Sequence, residues 1–357
     1  MISVYDFKND VRDVVPVLDY VNQNNPRLIS FVGQGAEATN KTHEWTEAVL
    51  GDKQVTGTGS GNVITLDNAA GIAIGNYLQP VSTADVYIAT AVAGNAVTVT
   101  KQVSGMADIP SGSTTYKVYG AATITGSKAG EEVFWEGSIK TNYCEIFRKD
   151  ASLPGTALST NTYDNASKMD NQVYAAMEAL QSQLNFKLWH GRKSLGGKGT
   201  AATAGGLYEF CTKNIIDAEG EELSVALINE LMKELVKAGA QPNAIVVSRN
   251  LAPAISDLYK DQVIIGENST VRGQYVSKIK TAYGQVLDVI YDDQVPTSHL
   301  WIMELGKIKL SPMAGRAFAD KDSTLPGFDG ESRTIIGEYT FEIYNADECF
   351  GRIEKIG

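Results

Sequence analysis

Cysteine is scarce in this chain, and its pattern excludes two common ways of stabilising a protein. There are three cysteines, Cys144, Cys211 and Cys349, which are far apart in the sequence and outside any CxxC pattern. An odd number of isolated cysteines argues against a disulfide framework and against a zinc site. We therefore expect free thiols and a reducing compartment.

Long hydrophobic runs are also missing. No stretch of about 18 apolar residues is present, so we expect no membrane-spanning helix. The opening residues, MISVYDFKND, lack the basic segment and apolar core of a secretory signal, which favours a protein that folds and works in a cytoplasm.

Positive charge is in deficit. The chain has 42 acidic against 31 basic residues and a formal charge of -11. Extensive binding to nucleic-acid phosphates requires clustered lysine and arginine, so this balance argues against it. A protein that lies near nucleic acid without binding it tightly remains compatible with such a charge.

Recognisable catalytic motifs are absent as well. His43, His190 and His299 occur singly, without HExxH or a paired ligand pattern. GTGSGN (57–62) lacks the spacing of a dinucleotide fingerprint, and GGKGT (196–200) follows a helix where a phosphate loop follows a strand. We predict no catalytic, cofactor-binding or metal-binding residue and no cofactor, and hence no enzyme.

The adjacent carboxylates Asp292 and Asp293 do not change that view. Neighbouring residues of a strand point to opposite faces, which places this pair poorly for joint acid and base chemistry. We interpret them as part of a solvated turn.

What is present is a chain of 357 residues, 43% hydrophobic and 20% charged, as in soluble globular proteins. Residues 1 to about 50 are polar and read as an extended arm with little regular structure. Residues 51–122 are rich in Thr, Val, Ala and Gly and predict a small inserted β module, a sandwich or a barrel, with a two-residue turn at Gly94 and Asn95. Its candidate strands are Val63–Leu66, Ile72–Gln79, Val86–Thr100 and Tyr116–Gly120.

The segment from 123 to 166 is rich in glycine and reads as irregular, with one strand at Asn142–Phe147. The longest helix follows, over about residues 168–190, with Ser167 as its cap and Asp170 as the capping-box partner. Helical spacing gives it a one-sided apolar stripe that we interpret as core: Val173, Met177, Leu180, Leu184 and Leu188.

Between residues 205 and 330 the pattern predicts an α+β domain. A second helix carries Leu227 and Leu231 and stops at Gly239, a buried strand covers Ala244–Ser248, and a third helix begins near Asn250. The stretches GQVLDVIYDD, HLWIMEL and KIKLSP then read as strands.

The last regular element predicted is a strand in IGEYTFEIYNADECFG, Ile336–Gly351. Tyr339, Phe341 and Ile343 alternate with the polar residues Glu338, Thr340 and Glu342, which is the pattern of a strand with one buried and one solvated face. Such a strand requires a sheet formed by earlier parts of the chain.

Several stretches, taken with this order of parts, resemble the major capsid proteins of tailed bacteriophages, in particular a family related to the SU-ten-type podovirus. They are HEWTEAVL (43–50), ITLDNAAGIAIGNYLQ (64–79), LWHGRKS (188–194), GLYEF (206–210) and GEYTFEIYNADECFGRI (337–353).

The resemblance implies an α+β fold of the Hong Kong-97 type, carrying the β module as an insertion. By segment it implies an N-terminal arm (1–40), an extended-loop region (41–160) that contains the module (51–122), a peripheral domain (161–204 and 331–357) with the long spine helix and the C-terminal strand, and an axial domain (205–330).

The resemblance also implies partners and location. The chain would assemble with itself into hexamers and pentamers of an icosahedral shell that encloses double-stranded DNA, first in the host bacterial cytoplasm and finally in the virion. A separate scaffolding protein, a portal and a cement protein would be further partners, with no membrane and no sequence-specific DNA binding.

Two alternatives stay open from the sequence. One is an encapsulin-like compartment, which has the same fold and a different cargo. The other is a β-rich surface-binding protein that uses residues 51–122 as its binding domain.

Overall fold

A computed structural model describes residues 27–48, 53–69, 72–103, 105–120, 137–160, 168–258 and 278–357. It divides into two compact units, one of residues 48–136 and one of residues 1–47 with 137–357. The predicted arm up to residue 26 and the helix cap at Ser167 lie outside the described residues.

The strands and helices of the described residues are numbered in chain order. The strands are Gly33–Gln34 (β1), Thr42–Glu47 (β2), Lys53–Ser60 (β3), Val63–Leu66 (β4), Tyr77–Pro80 (β5), Tyr87–Ala93 (β6), Ala96–Lys101 (β7), Ser113–Tyr119 (β8), Ser138–Tyr143 (β9), Glu145–Pro154 (β10), Ile215–Asp217 (β11), Ala244–Val247 (β12), Lys278–Lys280 (β13), Val286–Tyr291 (β14), Leu300–Met303 (β15), Ile308–Pro312 (β16), Ala319–Asp322 (β17), Gly330–Ile343 (β18) and Phe350–Glu354 (β19). The helices are Gly155–Ser159 (α1), Lys168–His190 (α2), Leu207–Phe210 (α3), Val225–Lys237 (α4), Ala252–Leu258 (α5) and Ala346–Cys349 (α6), with short 3-10 turns at Leu28–Ser30, Arg249–Leu251 and Leu305–Lys307.

The unit of residues 48–136 is a closed barrel. Its strands follow the order β3-β4-β7-β6-β5-β8 and close because β8 pairs with β3. Alternate side chains fill the interior, among them Ile64, Leu78 and Tyr116, each fully buried. The predicted module of residues 51–122 contains all six strands, and the predicted turn at Gly94 and Asn95 is confirmed, with Gly94 at a φ of 57°.

In the other unit, β2 and β9 form a two-stranded ribbon. Thr42 lies opposite Tyr143 at one end, and Glu47 lies opposite Ser138 at the other. The expectation of little regular structure up to residue 50 was wrong for β2, because its partner strand lies almost a hundred residues later in the chain. The single strand predicted over Asn142–Phe147 is likewise divided at Cys144 between β9 and β10.

A five-stranded sheet is built on the long strand β18. One edge of β18 pairs with all ten residues of β10, and the other edge pairs with β16 and β17, while β1 pairs with β16. Helix α2 packs on β10 and β18. Tyr339, Phe341 and Ile343 are buried in the resulting core.

The expectation that the other face of β18 is solvated was wrong. Glu338, Thr340 and Glu342 are also buried. The reason is that side chains from other segments cover them: Arg316 pairs with Glu338, and His43 on β2 pairs with Glu342. The alternating polar residues of β18 therefore mark a second, polar interface inside the protein and not a face exposed to water.

A six-stranded sheet has the order β11-β19-β15-β12-β14-β13. β12 runs parallel to β14 and antiparallel to β15, and β12 and β15 are buried along their whole length. Helix α4 contains the predicted Leu227 and Leu231 and ends just before Gly239. At its start the Ser224 hydroxyl accepts a hydrogen bond from the Leu227 amide, and the helix packs against β19.

The two sheets do not follow the predicted segment boundary at residue 330. β19, from the segment 331–357, pairs with β15 and β11, whereas β16 and β17, from the segment 205–330, pair with β18. The C-terminal strand predicted over Ile336–Gly351 in fact ends at Ile343, and α6 carries the chain from one sheet to the other. Strand pairing over such distances leaves no local signal in the sequence.

Candidate functional site

The apolar stripe of α2 lies in the core along only part of the helix. Leu180, Leu184 and Leu188 are buried, whereas Val173 and Met177 nearer the N-terminus are only partly covered. Burial of each leucine contributes about 1.5–3 kcal/mol. Of the predicted stripe, the C-terminal members are thus fixed in the core, and the N-terminal members keep apolar surface.

A buried polar cluster attaches the first described residues to this helix. The Oδ2 atom of Asp292 accepts hydrogen bonds from the Leu28 amide and from Asn185 Nδ2, both at 2.9 Å. Asn185 Oδ1 in turn accepts from the Ile29 amide at 2.9 Å, and the backbone amide of Gln294 donates to Asp292 Oδ1. The interpretation of Asp292 as part of a solvated turn was wrong, since its side chain is fully buried.

At the C-terminal end of α2, an aromatic cluster joins the helix to the six-stranded sheet. The His190 ring stacks on Tyr208 at 5.2 Å, and the Tyr208 hydroxyl lies 2.6 Å from His299 Nδ1. The Arg352 guanidinium lies 5.2 Å from the ring centres of both Tyr208 and Trp301. Burial raises the pKa of Tyr208 to about 12 and lowers the pKa of His299. Both side chains are therefore neutral near pH 7 and serve as packing and hydrogen-bonding groups.

Asn142 on β9 attaches the base of the ribbon, the end at Thr42 and Tyr143, to the rest of the unit. Asn142 is fully buried, and its Nδ2 atom donates to the Phe341 carbonyl at 2.9 Å and to the Gly205 carbonyl at 3.1 Å. Its Oδ1 atom accepts from the Gly205 amide at 2.7 Å. Next to it, Glu145 pairs with Lys187 of α2 at 3.0 Å. One side chain thus ties the ribbon to β18 and to the segment that follows α2.

The second hold on the ribbon comes from β2. His43 Nε2 donates to Glu342 Oε1 at 2.8 Å, and Ser311 and Tyr344 donate their hydroxyls to the same carboxylate at 2.6 and 2.8 Å. Burial alone would raise the pKa of Glu342, but these hydrogen bonds outweigh it and bring the pKa down to about 2. Glu342 is thus an ionised, buried carboxylate at neutral pH.

Aromatic packing supports this second hold. The Trp45 ring lies 5.8 Å from Phe210 and 6.1 Å from Tyr344, and its Nε1 atom donates to Glu47 Oε1 at 2.7 Å. No local pattern predicts that His43 meets Glu342 or that Trp45 meets Phe210 and Tyr344, because these partners are more than 160 residues away.

Large apolar side chains remain exposed on the unit that contains the ribbon and the two sheets. Ile139 on the ribbon is 67% exposed and Ile146 on β10 is 54% exposed. Leu325 and Phe328 protrude between β17 and β18, and Tyr174 protrudes from α2. Where such side chains form a contiguous patch, the patch marks a surface that contacts another protein.

The described residues contain no group of three or more His, Cys, Asp or Glu side chains arranged for a metal ion. The three cysteines are free and buried. Burial and the nearby Glu338 carboxylate raise the pKa of Cys144 to about 11, which makes its thiol unreactive at neutral pH. Within the described part of the chain, no helix has the length and apolarity needed to cross a membrane.

Comparison with solved structures shows the fold. The capsid asymmetric unit of cyanophage A-1(L) superposes with a TM-score of 0.59 at 13% identity, over 99% of this chain and 98% of the other. The capsid of a native GTA particle gives a TM-score of 0.57 at 8% identity, over 99% and 98%, and a protein of Microbacterium phage Oxtober96 gives 0.54 at 12% identity, over 97% and 95%. The predicted α+β fold of the Hong Kong-97 type is confirmed, with sheets more extensive than helices.

Comparison of the sequence identifies the family. No curated protein matches the chain. The family model described as "SU10 major capsid protein" matches residues 2–357 and favours a phage shell over a surface-binding protein. The chain therefore belongs to the SU10 major capsid protein family, and its role is structural: it is a shell protein of a phage capsid.

Proposed function

We propose that the subunit assembles into hexamers and pentamers of an icosahedral shell around packaged double-stranded DNA. The family match over residues 2–357 carries this proposal. Closed rings of identical chains reuse one pair of surfaces, and the exposed apolar side chains supply contact area for them. The net charge of -11 suits a container that does not hold its DNA tightly.

Electron microscopy of the purified chain, alone and with its scaffolding protein, tests this proposal. Icosahedral shells, tubes or regular rings are expected. A monomer that stays unassembled under both conditions at high concentration would contradict it.

The further partners follow from the same reasoning. We propose a separate scaffolding protein during assembly, a portal at one vertex and a cement protein on the outer surface as further partners of the shell. Assembly takes place in the host bacterial cytoplasm, before the subunit becomes part of the virion.

A purely structural role without enzymatic activity belongs to the same proposal. The contacts of the histidines support it: His43 pairs with Glu342, His190 bonds the Gln294 carbonyl and stacks on Tyr208, and His299 bonds Tyr208. Each of these rings is engaged in attaching one segment to another.

The domain assignment is likewise a proposal. We assign residues 1–40 to the arm and the ribbon with the inserted barrel to the extended loop (41–160). The peripheral domain consists of α2 with β16, β17 and β18, to which β1 of the arm and β10 of the extended-loop region add strands, and the axial domain consists of the six-stranded sheet with α4. This assignment moves β16 and β17 to the peripheral domain and β19 to the axial domain, in accord with their pairing.

The barrel strengthens contacts between subunits, since it is inserted at the end of an extended ribbon. Residues 48–136 can be replaced by a short Gly-Ser bridge from Glu47 to Gly137, because Glu47 lies opposite Ser138 in the ribbon. The shortened chain is expected to fold and to form shells that dissociate at lower temperature or denaturant concentration. Shells as stable as those of the full chain would contradict this role.

A further inference from the structure

We propose that Glu342 is a positioning residue, whose carboxylate fastens β2 to β18 and so fixes the direction in which the two-stranded ribbon leaves the sheet. The relevant contacts span the chain. His43 belongs to the ribbon, Ser311 to β16, and Tyr344 follows β18, yet all three donate to this one side chain.

The chemistry of the contact favours a carboxylate. An ionised carboxylate has only acceptors, so all three partners can donate to it. An amide at this position would lose the charge, and the partner facing its NH2 group would have to accept a hydrogen bond where it now donates one. Hydrogen bonds to a charged group are also stronger than neutral ones.

The backbone that lies next to this carboxylate belongs to Gly35, which has no side chain. A Cβ atom at Gly35 would overlap Ser311 Oγ and would lie 3.0 Å from Glu342 Oε1. The segment between β1 and β2 can therefore pass directly over the cluster, which leaves Glu342 only 3% exposed.

The charged and titratable neighbours are few. His43 and Glu47 face the cluster from β2, and Lys309 lies opposite Glu342 on β16 with its Nζ atom 5.2 Å from the Tyr344 ring centre. Burial, the hydrogen bond to Glu342 and the Glu47 charge raise the pKa of Tyr344 to about 12, so Tyr344 remains a donor over the ordinary pH range.

Two polar side chains, Asn142 and Glu342, attach the base of the ribbon to the rest of the unit. Asn142 fastens β9 to the Phe341 carbonyl, and Glu342 fastens β2 one residue further along the same strand. With both holds present, rotation of the ribbon about either one is restricted. Loss of the Glu342 hold leaves Asn142 and the packing of Trp45 against Phe210 and Tyr344, so the ribbon gains further orientations while the sheets stay folded.

A distance measurement tests this. Spin labels are placed on the full chain at Ile139→Cys on the ribbon and Val286→Cys on β14, both exposed in the native protein. The native thiols are buried and react slowly. Labelled subunits are diluted with unlabelled ones, so that pulsed electron spin resonance reports distances within one chain. Wild type is expected to give one narrow distance distribution.

Glu342→Gln is expected to raise the population of other ribbon orientations by about tenfold, the effect of losing a hydrogen bond to a charged group. Glu338→Gln is the matched control: it is also a buried glutamate on β18, but its partner is Arg316 and not the ribbon. The control is expected to keep the wild-type distribution.

A second series separates positioning from folding. His43→Gln keeps a donor and is expected to retain the narrow distribution, whereas His43→Leu is expected to broaden it. If Glu342→Gln does not fold, Tyr344→Phe and Ser311→Ala each remove a single donor and give a smaller broadening. An unchanged distribution in the variants that lose a Glu342 contact, or equal broadening in Glu338→Gln, would overturn the proposal.

Discussion

At the scale of single residues, buried polar side chains mark the places where distant segments of the chain meet. Asn142, Asp292 and Glu342 each accept or donate several hydrogen bonds, and each joins segments more than 100 residues apart. A buried polar group costs free energy unless its partners are present. Such residues therefore favour one arrangement of the segments over others.

The titration of Glu342 gives a prediction about acid stability. Its pKa of about 2 in the folded chain lies below the ordinary value of 4.5. A carboxylate with a lowered pKa stabilises the folded state above its unfolded pKa, and this contribution is lost as the pH falls from about 4.5 toward 2. The contribution amounts to about 3 kcal/mol at neutral pH.

Urea unfolding of wild type and Glu342→Gln between pH 7 and pH 3 measures this contribution. The difference in unfolding free energy between the two proteins is expected to shrink as the pH falls. A difference that stays constant over the whole range would mean that the carboxylate does not supply it.

At the scale of elements, α2 has a buried stripe and an exposed side. Leu184 is 3% exposed within the core and Tyr174 is 55% exposed on the same helix. Leu184→Ala is expected to lower the unfolding free energy by about 2–5 kcal/mol, whereas Tyr174→Ala is expected to change it by no more than about 0.5 kcal/mol. Chemical denaturation of both variants checks this, and similar losses in the two would contradict it.

The elements also show what could be predicted from the sequence. The helices α2 and α4 and the strands β14, β15 and β16 follow from hydrophobic periodicity, which is a local signal. The ribbon of β2 and β9 could not be predicted, because neither strand has a partner near it in the chain. For the same reason, the alternation along β18 predicts a solvated Glu342, whereas its donors His43 and Ser311 lie on the distant strands β2 and β16.

At the scale of the whole molecule, the two units have separate cores. The barrel core contains Leu78 and Tyr116, and the larger core contains Leu231 and Phe341. Leu78→Ala is expected to lower the melting temperature of the barrel by roughly 10 °C or more, since each kcal/mol lost shifts a domain of this size by about 4–8 °C. The melting temperature of the larger unit is expected to stay unchanged.

Calorimetry of the unassembled chain resolves these transitions, and Leu231→Ala is the matched variant in the other core. Leu231→Ala is expected to shift only the transition of the larger unit. A single transition that moves equally in both variants would show that the two units unfold as one.

The positions of β18 and β19 have a consequence for synthesis. β18 is the strand on which the five-stranded sheet is built, and β19 lies between β11 and β15 in the other sheet. Strand β10 and strand β11 leave the ribosome long before residues 330–354, and they wait without a partner until those residues have emerged. Neither sheet is completed on a nascent chain that stops before β18, so a truncated translation product lacks both finished sheets.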